Sequence, residues 1–80
     1  MNIKELQTML ENENVPKRYY LLDGNGIKED KICLELFNDL WQVYYSERGK
    51  KYNLSAFQNE SDACNEILQR LRKKQAKQIK

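Results

Sequence analysis

The stretch KICLELFNDLWQVYYSERGKKYNLSAF, residues 31–57, decides the fold. Its first part places Ile32, Leu34 and Leu36 on one phase of a two-residue period and Glu35 on the other. Asn38-Asp39 then supplies turn chemistry, after which Trp41, Val43 and Tyr45 alternate with Gln42, Tyr44 and Ser46. Two alternating runs about an Asn-Asp turn predict a β-hairpin with one dry face and one wetter face. Glu47-Arg48-Gly49-Lys50 predicts the next turn, with Gly49 suited to a left-handed position, and Tyr52 to Phe57 a third, less regular strand. Trp41 is assigned to the core, because an indole buries a large area and here stands in phase with aliphatic neighbours. Tyr44 is expected to face outward beside Gln42 and Ser46. It serves there either as a cross-strand partner on a solvated face or as a recognition anchor. Glu47 and Arg48, at the hairpin tip, are either turn charges or a rim contact.

The flanks read as helices. From Asn59, a candidate N-cap, Ala63, Cys64, Ile67, Leu68 and Leu71 make an apolar stripe at helical spacing, with Glu66 and Arg70 able to pair on the outer face. After Leu71 the stripe ends, which predicts a domain over residues 1–72 and a basic, frayed tail over 73–80. Upstream, Ile3, Leu6 and Leu10 predict a helix over 3–11, started by Asn2 and Glu5 in a capping-box spacing and ended before Pro16. Tyr19 to Leu22 reads as a short strand, Asp23-Gly24-Asn25-Gly26 as a turn, and Lys28-Glu29-Asp30 as a polar loop. The economical assembly is an α+β fold. Both helices lie on one face of a three- to four-stranded antiparallel sheet, as a two-layer sandwich.

The chain has 80 residues, 40% hydrophobic and 32% charged, which allows one modest core and no second lobe. No apolar run reaches the length of a membrane span, and MNIKELQTML lacks the layout of a signal peptide. The net charge of +2 hides a split. Six basic residues (Arg70, Arg72, Lys73, Lys74, Lys77 and Lys80) and no acidic one fall after residue 68. That leaves eight of the fourteen basic residues to face all twelve acidic ones, a body of −4. The basic segment has three readings: a contact for nucleic acid or anionic lipid, charge that complements a helix C-terminus, or a disordered appendage. No aromatic residue interleaves with these charges, which removes the stacking platform common in single-strand binders.

Catalytic chemistry finds little support. There is no histidine, so the commonest general base and metal ligand are both missing. Cys33 and Cys64 have no C-x-x-C spacing and read as two buried thiols, with a disulfide between them left open. Asp23-Gly24-Asn25-Gly26 fails as an EF-hand loop, because Leu34 stands where the twelfth-position glutamate belongs. Gly24 and Gly26 make a lone G-x-G without a dinucleotide context. No enzyme activity, cofactor or metal is expected.

Trp41-Gln42-Val43-Tyr44-Tyr45-Ser46-Glu47-Arg48-Gly49 resembles the W-x-V-Y-Y-x-E-R-G hairpin of small immunity-type proteins of bacterial polymorphic toxin systems, found largely in low-GC Gram-positive bacteria. Pro16 with Tyr19-Tyr20, Asp23-Gly24, Cys33-Leu34-Glu35, Phe57 and Ala63-Cys64 agree in order, so the resemblance spans about residues 3–71; the basic tail lies outside it. The resemblance implies a cytoplasmic, non-enzymatic antidote that binds and occludes a cognate toxin encoded by a neighbouring gene; an unpaired sheet edge leaves a monomer or a weak homodimer open. Asp23, Glu29, Asp30, Tyr44, Glu47 and Arg48, from the outward sheet face and its flanking loops, are the candidate partner-binding residues. A small nucleic-acid-associated or regulatory protein using the basic helix is the alternative, with nucleic acid the less favoured partner.

Overall fold

A computed structural model describes residues 1–22 and 29–78, the last two as backbone only. The order is α1 (Ile3–Asn12), a single 3₁₀ turn (Lys17–Tyr19), β1 (Tyr20–Leu21), β2 (Lys31–Phe37), β3 (Leu40–Glu47), β4 (Lys50–Phe57) and α2 (Glu60–Gln78). The four strands lie side by side in the order β1-β2-β3-β4. The pairs β2–β3 and β3–β4 are antiparallel, as expected, whereas β1 joins β2 in parallel. A two-residue strand carries no alternation that would reveal its direction, so that pairing is decided by packing alone.

Both hairpins are closed by two residues with positive φ, Asn38 and Asp39 (φ 50° and 66°) and Arg48 and Gly49 (φ 51° and 78°). Paired positive φ values belong to the turns whose twist matches that of the flanking strands, and they set the register Phe37 to Leu40 and Glu47 to Lys50. Further along β4, Val43 pairs with Ser55 but Tyr45 pairs with Tyr52, so Asn53 and Leu54 together oppose Tyr44. Asn53 accommodates this bulge at φ 55°.

The core is a single buried cluster drawn from both helices and one phase of the strands. Leu6 and Leu10 of α1, Ile32 and Leu34 of β2, Val43 of β3, and Ala63, Cys64, Ile67, Leu68 and Leu71 of α2 form one buried cluster, joined by Val15, Tyr19 and Leu22. Each fully buried leucine or isoleucine in it contributes about 1.5–3 kcal/mol of transfer free energy. The expected stripe of α2 is thus the buried one, and α2 packs against β2, β3, β4 and α1. Trp41 and Phe57 are only partly buried at the margin of this cluster. Leu36, in phase with Leu34, is 56% exposed because it stands beyond the end of the core.

Local chemistry fixes the ends of α1. The Asn2 side chain accepts from the Glu5 amide (2.8 Å) and Glu5 accepts from the Asn2 amide (3.1 Å), a closed capping box. At the other end Asn14 is left-handed (φ 58°), its amide donating to Glu11 O and the Val15 amide to Leu10 O. This is a Schellman stop, with Val15 buried alongside Leu10 in the core. Two clamps then hold α1 to α2. The Ile3 amide donates to Glu60 Oε2 at 2.8 Å, and Arg72 donates to both carboxylate oxygens of Glu13.

Beyond residue 72 the chain stays helical. α2 continues to Gln78, and Arg72, Lys74 and Gln75 all make contacts with the body. The two thiols are also settled. Cys64 lies in the core and Cys33 faces the other side of the sheet, so both are buried and no disulfide joins them.

Candidate protein-binding face

Strand alternation and register place Cys33, Glu35 and Phe37 of β2 on the sheet face away from the core. Beside them lie Leu40, Gln42, Tyr44 and Ser46 of β3, and Lys51, Leu54 and Ala56 of β4. Tyr44 anchors this face but is not exposed on it. Its side chain is completely buried, which corrects the expectation of an outward, solvent-facing ring. The phase was read correctly; the burial comes from neighbours on the same face. The Tyr44 hydroxyl donates to Glu35 Oε1 at 2.8 Å, and Lys51 Nζ lies 3.3 Å from the same oxygen and 4.7 Å from the centre of the Tyr44 ring. Lys51 also stands over Phe37, 5.7 Å from its ring centre. Burial, reinforced by the Glu35 hydrogen bond, holds the Tyr44 phenol well above its ordinary pKa.

Around this fixed centre the large apolar side chains that meet solvent are Phe37 (54% exposed), Leu40 (37%) and Leu54 (46%). Phe37 and Leu40 are direct cross-strand partners beside the Asn38-Asp39 turn. With Leu36 on the opposite face they make an apolar end to the β2–β3 hairpin. Sequence reasoning passed over these residues. Phe37 and Leu40 carried a readable signal, since both are apolar on the wet phase. Leu54 did not, because its side is set by a bulge that no spacing rule reveals.

The other candidate residues gather at the opposite end of the sheet. Lys31 pairs with Ser46, which brings Glu29 and Asp30, just before β2, to the same end as Glu47 and Arg48. Glu29, Asp30 and Arg48 are exposed and Glu47 is half-buried. The Tyr45 hydroxyl donates to Asp30 Oδ1 at 3.4 Å. Burial and the nearby Asp30 and Glu47 carboxylates raise the Tyr45 phenol pKa. Asp23 lies outside the described residues.

The basic segment is engaged with the body. Arg70 donates to Glu66 (2.6 Å), to the Val43 carbonyl (3.4 Å) and to Ser55 Oγ (3.1 Å), so the pair expected on the outer face of α2 turns inward to the bulge. The Lys74 ammonium lies 5.0 Å from the centre of the Tyr19 ring. Among the described residues no group of acidic or cysteine side chains is placed to hold a metal ion, and no helix is long and apolar enough to cross a membrane. No protein-family model, curated protein or solved structure matches the chain.

Proposed function

We propose that this chain is a non-enzymatic binding protein of the immunity type, which occludes a cognate toxin domain by covering it with its helix-free sheet face. The observation that carries this reading is the exposure of Phe37, Leu40 and Leu54 around a buried Tyr44–Glu35–Lys51 centre. Exposed apolar side chains on a rigid base are the composition of an interface core, and charged groups form the rim. Glu29, Asp30, Glu47 and Arg48 supply such a rim at one end. The partner is a protein domain, met by an apolar centre with a charged rim. The basic segment adds no second reading, because Arg70 and Arg72 already have partners within the fold.

The test is co-purification with the product of the neighbouring gene. A one-to-one complex by size exclusion is expected, and the double variant F37D/L54D should abolish it while the far-ultraviolet circular dichroism stays unchanged. A complex that survives both substitutions, or a neighbouring product that never binds, overturns the reading.

A further inference from the structure

On the helix side of the sheet, away from the face just described, α2 and the strands enclose an open cleft of about 620 Å³. Ile32 and Tyr45 of the strands, Asn53 of the bulge, and Glu66, Arg70, Lys73 and Lys74 of α2 line it. These three cations fall at i, i+3 and i+4, on one helix face, where like charges repel. Among the described residues Glu66 is the one carboxylate in the lining, and Arg70 already holds it at 2.6 Å. Among the described residues no carboxylate comes within salt-bridge distance of Lys73 or Lys74. Lys74 is held in place by two rings, 5.0 Å from the centre of Tyr19 and 5.9 Å from that of Tyr45. Asp30 sits at the far end of the Tyr45 ring, on its hydroxyl.

The cleft therefore combines two uncompensated ammonium groups with an apolar and aromatic lining, at a size that suits a small ligand. We propose that it binds a small organic anion, a phosphate monoester or carboxylate on an aryl or alkyl body. The negative group lies by Lys73 and Lys74, and the body rests on Tyr45 and Ile32. Nucleic acid fits less well, because a chain of phosphates needs a track of open cations. Here Arg70 is spent on Glu66 and the bulge, and Arg72 on Glu13.

Amide NMR titration of the full chain with phenyl phosphate, benzoate, inorganic phosphate and phenol tests this. Saturable shifts at Tyr45, Asn53, Lys73 and Lys74 are expected with phenyl phosphate or benzoate, and whichever binds more tightly identifies the headgroup. Lys73 is exposed, so K73Q keeps the fold and should weaken binding roughly twofold to fivefold, as removal of one screened charge does. E66Q should tighten it by about twofold or more by removing the opposing charge. The proposal is overturned if shifts grow linearly without saturation, if K73Q binds as well as the parent chain, or if inorganic phosphate or phenol alone binds as tightly as the aryl anions.

Discussion

Arg72 grips Glu13 with two nitrogens, Nε to Oε1 at 3.1 Å and Nη2 to Oε2 at 2.6 Å, across 59 residues of sequence. A bidentate guanidinium–carboxylate pair is directional as well as attractive, so it fixes the end of α1 against the last turns of α2. Gln75 adds a bond from its side-chain amide to the Glu13 carbonyl at 3.4 Å. Arg72 and Gln75 thus both meet the residue that closes α1.

The pair makes acid stability depend on Glu13. The hydrogen bond from Arg72, with its positive charge, holds the Glu13 carboxyl below the ordinary value of 4.5. A carboxyl whose pKa is lowered by folding stabilises the native state above its unfolded pKa, and that contribution disappears as pH falls through the lowered value. Thermal unfolding measured from pH 6 to pH 2 should show a decline beginning near the ordinary glutamate range. E13Q should unfold at lower temperature at pH 6 and show a shallower acid decline. An E13Q curve parallel to that of the parent chain would exclude this role.

Tyr44 sets the alkaline limb. Its phenol is raised above the ordinary 10.0 chiefly by burial and then by the Glu35 carboxylate, so the unfolded chain loses this proton first. The unfolded state then binds fewer protons than the native state, and stability falls as pH rises above about 10. Ultraviolet titration of the native protein should leave Tyr44 un-ionised where an exposed tyrosine has titrated. Y44F should cost about 1–2 kcal/mol at pH 7, by leaving Glu35 short of one hydrogen bond, and should weaken the alkaline loss. Denaturant unfolding at pH 7 and pH 10.5 measures both effects.

Arg48 occupies the first position of a two-residue hairpin turn at φ 51°, a backbone region in which a long side chain is strained and Asn or Gly is not. R48N should therefore raise stability by about 0.5–1 kcal/mol, read as a higher denaturation midpoint with an unchanged slope. If Arg48 also serves as a rim contact, the same variant should bind the partner more weakly although it is the more stable protein. Such an opposition of stability and binding is what strain kept at a contact site produces.

Much of the fold is legible in the chain because it rests on short-range rules. A two-residue period with Asn-Asp and Arg-Gly turns determines the two hairpins and the register beside each turn. The spacing of Ile67, Leu68 and Leu71 determines which side of α2 is buried, and Asn2 with Glu5 determines where α1 begins. The candidate face is legible only in part, since alternation gives the side on which Tyr44 lies but not what covers it. Tertiary structure alone decided that Lys51 and Glu35 bury Tyr44, that β1 runs parallel to β2, that a bulge at Asn53 re-aims Leu54, and that Glu13 captures Arg72. Each of these depends on groups distant in sequence that meet only after the sheet and helices have packed. The free energy that selects them is one of contact and burial, which no local pattern of residues encodes.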